Sequence, residues 1–113
     1  MKKYIIALLL LFITVQANSQ GKLEIGNKSF MIKGEPFVIK AAEIHYTRIA
    51  HEYWVHRIKM CKSMGTNTIC LYLFWNLHEQ QEGVFEFTGQ KNVRAFCLLA
   101  QKHGVYIIGI IYT

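Results

Sequence analysis

The chain is short, apolar and basic. It has 113 residues, of which 52% are hydrophobic and 18% are charged, and it contains a single proline. This composition excludes disordered, collagen-like and low-complexity proteins and is sufficient for one small domain with a core. All seven acidic residues are glutamates, so Asp-based metal loops and Asp-containing catalytic triads are excluded from this segment. The basic residues are dispersed, which disfavours a nucleic-acid-binding surface.

Residues 1–19 have the pattern of a cleavable secretory signal peptide. Two lysines precede an apolar run, and the small residues Ala17 and Ser19 follow it at the spacing that a signal peptidase needs. We expect cleavage before Gln20, with cleavage after Ala17 as the alternative. The apolar run is shorter than the roughly 20 residues that cross a membrane as a helix. The sequence therefore predicts a secreted or periplasmic protein without a stable membrane anchor.

The remaining chain divides into two segments with different patterns. Residues 20–40 contain short apolar runs separated by turn residues, which predicts an antiparallel β meander. Residues 41–113 alternate between strand and helix patterns, which is typical of a parallel sheet. The predicted elements are a strand at 41–46, a helix at 52–64, a strand at 66–75, a helix at 91–103 and a strand at 105–112.

These elements match the beginning of a much larger fold. Three parallel strands with two connecting helices make only part of a (β/α)8 TIM barrel, which takes about 250 residues when complete. We therefore predict an α/β fold consisting of a partial TIM barrel after the short meander. The helix faces expected to contact the sheet carry, in order, Trp54, Ile58, Cys61 and Met64, and then Val93, Phe96, Cys97 and Ala100.

The three cysteines, Cys61, Cys70 and Cys97, are an odd number for an exported chain and cannot all pair within it. Each lies in an apolar periodic segment, where a free cysteine behaves as a small hydrophobic side chain. We predict buried free thiols; a disulfide or a catalytic thiol is the alternative.

Polar and aromatic side chains concentrate directly after the first and second predicted strands of the parallel sheet. In barrels of this type the chemistry collects at the carboxyl ends of the strands. Flat aromatic faces beside hydrogen-bonding groups suit sugars, whose rings have apolar faces edged by hydroxyls. We predict a pocket rim here, with simple packing as the alternative. The candidate rim residues are Glu43, His45, Arg48, Trp75, Asn76, His78 and Glu79.

Two histidine motifs match metal sites only in part. The segment that starts at His78 begins like a zinc-protease motif but has Glu82 in place of the second histidine. His51 and His56 are five residues apart, so on a helix they point in different directions. No Gly-rich phosphate loop or nucleophile elbow is present. The sequence therefore predicts neither a metal site nor a cofactor.

The segment from Phe37 to Tyr106 resembles the N-terminal part of the catalytic barrel of glycoside hydrolase family 35, the β-galactosidases. The resemblance rests on five ordered blocks of sequence, at residues 43–49, 52–54, 64–68, 72–79 and 83–89. The block Tyr-Leu-Phe-Trp-Asn-Leu-His-Glu, from Tyr72 to Glu79, is the most distinctive of them.

This resemblance implies a secreted retaining exo-glycosidase that removes terminal β-linked galactose from carbohydrates with two glutamates, a general acid and a nucleophile. In the family those glutamates lie beyond the point that matches Thr113, so we expect this chain alone to be an inactive N-terminal fragment. Tyr72 matches the family's galactose-binding tyrosine and is the one substrate contact implied. Oligomeric state is not predicted. The alternative is a small exported galactoside-binding or structural module without catalytic activity.

Overall fold

The computed structural model describes residues 2–4 and 21–113. The predicted signal peptide, including its cleavage site before Gln20, lies outside the described residues except for residues 2–4. The chain divides between Val38 and Ile39 into two compact units. Within the described ranges no helix is both long enough and apolar enough to cross a membrane.

The first unit is a small antiparallel sheet with strand order β1-β2-β3. Its strands are β1 (Leu23–Ile25), β2 (Phe30–Ile32) and β3 (Glu35–Phe37). The two-residue turn between β2 and β3 has positive φ angles at Lys33 (53°) and Gly34 (76°), the backbone conformation that two-residue hairpins favour. The predicted antiparallel meander is confirmed.

The second unit contains a parallel sheet with strand order β4-β5-β6. The strands are β4 (Ala41–Ile44), β5 (Thr68–Phe74) and β6 (Tyr106–Tyr112). The helices are α1 (Trp54–Ser63), the one-turn α2 (Trp75–His78) and α3 (Val93–Lys102). This mixed α/β arrangement with a parallel sheet confirms the coarse fold prediction.

Both long helices pack on the same face of the parallel sheet. The core that they form with the sheet contains ten buried apolar side chains among the described residues: Ile44, Tyr46, Trp54, Ile58, Cys61, Ile69, Leu71, Phe96, Ala100 and Val105. Helix α3 begins at a defined cap, because the side chain of Asn92 accepts a hydrogen bond from the backbone N–H of Ala95 (3.0 Å). Of the predicted stripe on α3, Phe96 and Ala100 are buried in the core, and Val93 and Cys97 are partly buried against it.

The predicted stripe on α1 is correct for its first three members and wrong for Met64. Helix α1 ends at Ser63, and Gly65 takes a positive φ of 84°, the usual way for a helix to end. Met64 therefore lies past the last helical turn, where its side chain is 71% exposed.

Two predicted strand ends are also wrong. The strand predicted to continue to Tyr46 ends at Ile44, because the chain enters a 3-10 turn at Tyr46–Arg48, closed by the Arg48 N–H donating to the His45 carbonyl (3.0 Å). The strand predicted to include Trp75 ends at Phe74, because Trp75 starts α2. In both places the chain turns at the carboxyl end of a strand.

All three cysteines are free thiols, as predicted. Cys61 is buried in the core, whereas Cys70 and Cys97 are only partly buried. Burial raises the pKa of the Cys61 and Cys97 thiols, so both stay protonated near neutral pH. They therefore pack as small apolar side chains.

The other face of the sheet is apolar and largely open. Side chains alternate along a strand, so Ile108, Ile110 and Tyr112 lie on the face opposite the core. All three are more than a third exposed. Strand β6 also lies at the edge of the described sheet. An apolar, uncharged edge strand of this kind pairs readily with other chains.

We expect the substitution Ile110→Lys to reduce self-association of the purified 113-residue chain, because a charge in an apolar edge strand opposes pairing. Light scattering at matched concentrations measures the effect. Leu98→Lys places the same charge on an exposed position of α3, where the wild-type side chain is 52% exposed, and serves as the control. An equal reduction by both substitutions would show that net charge, not the β6 edge, governs association.

Candidate functional site

Two predicted site residues, His45 and Tyr72, meet at the carboxyl end of the parallel sheet. His45 directly follows β4, and Tyr72 lies near the end of β5. The His45 ring packs edge-on against Tyr72 and Phe74, with ring centroids 5.3 Å and 5.1 Å away. Because parallel strands end at the same edge of a sheet, the residues after β4 reach those at the end of β5.

Glu43 fixes the His45 ring. An Oε1 oxygen of Glu43 lies 2.5 Å from Nε2 of His45. A carboxylate only accepts hydrogen bonds, so Nε2 carries the proton and its N–H donates the hydrogen bond to Glu43. In the neutral ring Nδ1 then remains as an acceptor. The Glu43 side chain is about half exposed, so this pair can be reached from solvent.

Arg48 completes this cluster from the turn after β4. Its guanidinium carbon lies 5.4 Å from the centre of the Phe74 ring, within cation–π range. The Phe74 ring also contacts Tyr112, 6.1 Å away at the end of β6. Sequence reasoning missed both aromatic residues. The two-residue spacing from Tyr72 could have identified Phe74, whereas Tyr112 joins the cluster only through the β5–β6 register.

A groove of about 300 Å³ lies beside these residues, between β4 with its following turn and helix α1. Three predicted rim residues line it, together with apolar side chains of the helix. The lining residues are Glu43, Ile44, His45, Arg48, Ile49, Arg57, Met60, Cys61 and Met64.

His78 has a different environment from the other rim candidates, because it is fully buried. Its Nδ1 donates to the backbone carbonyl of Glu86 (2.9 Å), since a carbonyl only accepts. Its Nε2 therefore accepts from the hydroxyl of Tyr46. The Phe87 ring stacks on the His78 ring, with the centroids 4.7 Å apart, and the centroid of the Tyr46 ring lies 6.0 Å away. In this structure His78 joins elements of the fold instead of lining an open rim.

The turn that carries Tyr46 is held by two further side chains. The indole N–H of Trp54 donates to the carbonyls of Tyr46 (3.1 Å) and Ile49 (3.0 Å). The amide of Gln90 donates to the same two carbonyls, and its oxygen accepts from the backbone N–H of His51 (3.0 Å). The turn beside the candidate site is therefore fixed from both α1 and the segment before α3.

Glu79 organises the loop after β5. One of its oxygens accepts from the Trp75 indole N–H (2.6 Å), and the other accepts from the backbone N–H of Gly83 (2.8 Å). These hydrogen bonds lower the pKa of the Glu79 carboxyl, and the one from Gly83 has the larger effect.

Asn76 is exposed on α2. The predicted rim residues thus fall into one cluster around His45 and a second around Trp75. Within residues 2–4 and 21–113 no group of three or more side chains is arranged to hold a metal ion.

Comparison with known proteins gives the family. The sequence model of Glycosyl hydrolases family 35 matches residues 29–110. The chain belongs to this family. It is 40% identical to human Beta-galactosidase-1-like protein 3 over 83 residues, 74% of this chain and 13% of that protein. It is 42% identical to Beta-galactosidase 11 of Arabidopsis thaliana over 79 residues, 70% of this chain and 9% of that protein.

A third relative carries a different enzyme name. The chain is 38% identical to Exo-beta-D-glucosaminidase of Pyrococcus horikoshii over 91 residues, 77% of this chain and 12% of that protein. The chain thus spans between 9% and 13% of the length of these three relatives. Membership of family 35 confirms the resemblance seen in the sequence.

We expect Tyr46→Phe to lower the free energy of unfolding by about 1–3 kcal/mol, because it leaves the buried Nε2 of His78 without its donor. Chemical denaturation followed by far-UV circular dichroism measures the change. The control is Tyr53→Phe, which removes a hydroxyl from a side chain that is 60% exposed. Equal effects of both substitutions would mean that the Tyr46–His78 hydrogen bond contributes nothing specific.

Tyr46 should also ionise at an unusually high pH. Burial raises the pKa of Tyr46 from 10.0 to about 12, with a smaller contribution from Cys97. Since the raised pKa belongs to the folded state, the contribution of Tyr46 to the free energy of unfolding is complete below pH 10. It is lost as the pH rises toward about 12. Tyrosinate absorbance should therefore include an ionisation near pH 12 that belongs to Tyr46. Its persistence in Tyr46→Phe would contradict this assignment.

Proposed function

We propose that residues 41–113 form the first three strands of the catalytic (β/α)8 barrel of a retaining β-galactosidase, and that Tyr72 contacts galactose. The observation that carries the proposal is the position of Tyr72. It lies at the carboxyl end of the middle strand, against the Glu43–His45 pair, in the part of the chain that matches family 35. Active sites of such barrels lie at that end of the strands.

The chemistry of this cluster suits a sugar. Tyr72 offers an aromatic face and a hydroxyl, and His45 and Glu43 add polar groups beside it. A pyranose ring combines an apolar face with hydroxyls at its edge, so it requires both kinds of contact. Arg48 adds five donors at the rim of the same cluster. We propose these residues as the part of the substrate pocket that this chain supplies.

The catalytic glutamates belong, on this proposal, to later segments of the family barrel. A retaining enzyme needs a general acid and a nucleophile about 5 Å apart. Glu43 is bonded to His45, and both oxygens of Glu79 are bonded within the loop. These contacts support the view that neither glutamate is the acid or the nucleophile.

Export and domain organisation remain part of the proposal. We propose that residues 1–19 direct secretion, that residues 20–40 form a separate N-terminal meander, and that the catalytic barrel starts at residue 41. N-terminal sequencing of exported protein tests the proposed secretion directly. A mature chain that starts at Gln20, or at Asn18, is the expected result, and a retained Met1 in a membrane fraction is the contrary one.

An exo-β-D-glucosaminidase is the second candidate, because one relative at 38% identity carries that name. Galactose and glucosamine differ at C2 and C4, so the two activities are separated by chromogenic substrates that differ only in the sugar. Hydrolysis of the glucosaminide alone, by a family 35 enzyme that carries residues 41–113, would favour this candidate over a β-galactosidase.

We expect the purified 113-residue chain to release no galactose from a chromogenic β-galactoside, because this proposal assigns the family's acid and nucleophile to later segments of the barrel. Turnover that disappears in Glu43→Gln or Glu79→Gln would show that these glutamates catalyse the reaction.

We further expect activity when residues 41–113 replace the matching segment of a family 35 β-galactosidase. In this hybrid, Tyr72→Phe should lower kcat/KM by about tenfold or more, because a hydrogen bond to the sugar is lost. Tyr53→Phe, at an exposed position of the 3-10 turn before α1, is the matched control. A hybrid in which both substitutions have the same effect would remove Tyr72 from the substrate site.

A further inference from the structure

The loop from Trp75 to Phe87 is organised around a single carboxylate. Glu79 lies directly after the one-turn helix α2, and its backbone N–H donates to the Trp75 carbonyl (2.9 Å). Its side chain returns to the same residue, because Oε2 accepts from the Trp75 indole N–H (2.6 Å). Backbone and side chain of Glu79 therefore both hold Trp75.

The second oxygen reaches the other end of the loop. Oε1 accepts from the backbone N–H of Gly83 (2.8 Å), which has a positive φ of 77°. Gly83 itself lies in a tight turn, in which the Val84 N–H donates to the Gln81 carbonyl (2.9 Å). This turn returns the chain to α2, where the Glu86 N–H donates to the His78 carbonyl (2.8 Å).

The returning chain places two aromatic rings against Trp75. The centroids of Phe85 and Phe87 lie 6.0 Å and 6.4 Å from that of Trp75. Both phenylalanines stay substantially exposed, at 56% and 40%. The loop thus presents an aromatic surface immediately after β5, the strand that carries Tyr72.

We propose that Glu79 is a positioning residue, which holds the Trp75 indole and the Gly83 turn together and thereby presets the aromatic surface of Trp75, Phe85 and Phe87 beside the sugar site. A general acid or a nucleophile must direct an oxygen at the substrate, whereas both Glu79 oxygens are used inside the loop. The sugar-binding part rests on the proposed function, since it takes Tyr72 as the substrate contact. The part concerning the loop stands on the hydrogen bonds alone.

The first experiment is amide hydrogen exchange of the 113-residue chain, read by mass spectrometry over residues 80–87. Glu79→Gln keeps the shape of the side chain and removes its charge. We expect exchange of this segment to become about tenfold to a hundredfold faster, as loss of charge-assisted hydrogen bonds implies. Exchange in β5 and α1 should be unchanged, which separates loosening of the loop from unfolding.

Glu82→Gln is the matched control, because Glu82 lies in the same loop and is exposed. It should leave exchange at residues 80–87 at the wild-type rate. Trp75→Phe removes one of the two donors to Glu79 and should give an intermediate rate, which keeps the test decisive if Glu79→Gln fails to fold. Equal exchange in wild type and Glu79→Gln, or a wild-type loop without protection at neutral pH, would overturn the proposal.

A second readout uses pH and the wild-type chain. Hydrogen bonds from Gly83 and Trp75 lower the pKa of Glu79, so the loop should stay protected as the pH falls until that lowered pKa is reached, and then lose protection. The other charged or titratable groups around the loop are His78 on α2, Glu82 in the turn, and Glu86 with its partner Lys91.

The pH test assigns the transition to one carboxyl. Glu82→Gln and Glu86→Gln should both retain the acid transition, and Glu79→Gln should lack it because its loop is loose at every pH. An acid transition that survives in Glu79→Gln would overturn the assignment. Neither readout involves a sugar, so failure here leaves the proposed glycosidase function untouched, and an inactive hybrid enzyme leaves this assignment untouched.

Discussion

The buried ring of His78 connects the two segments that follow β4 and β5, and the geometry of the candidate site depends on this connection. The ring accepts a hydrogen bond from Tyr46, in the turn after β4, and donates one to the backbone of Glu86, in the loop after β5. The ring of Phe87 stacks on it, with the two centroids 4.7 Å apart. A buried ring nitrogen without a partner costs free energy, so each segment fixes the other.

The parallel sheet supplies the second constraint. All three strands run in the same direction, so the polar and aromatic residues that follow them collect at one edge. Alternation along β5 sends Ile69 and Leu71 into the core and Tyr72 toward the opposite face. One strand therefore holds the helices in place and presents the proposed galactose contact.

Local patterns were sufficient to predict the order and type of the main elements from the sequence. The apolar run around β5 and the three- and four-residue spacing on α1 arise from burial that repeats along the chain. Strand ends were harder to place, because Trp75 leaves β5 through its bonds to Glu79, four residues later. Met64 continues the apolar spacing, but the helix that would bury it has already ended.

The site could be predicted only as a set of residues. Nothing near His78 in the sequence reveals its hydrogen-bond partner, because Tyr46 lies 32 residues earlier. The two clusters could not be separated for the same reason: contact between the ends of different strands depends on register and on turns that span long sequence distances. Glu79 is different, since both of its partners lie within four residues, and a loop built so locally could be recognised from sequence.

The tautomer of His78 provides the most direct test of this account. Solid-state ¹⁵N spectra of histidine-labelled protein at neutral pH distinguish the two neutral tautomers from the imidazolium, and the His78 signals are those lost in His78→Gln. The hydrogen bonds to Glu86 and Tyr46 predict a neutral ring with its proton on Nδ1. A proton on Nε2 alone, or a charged ring, would contradict the connection on which the site depends.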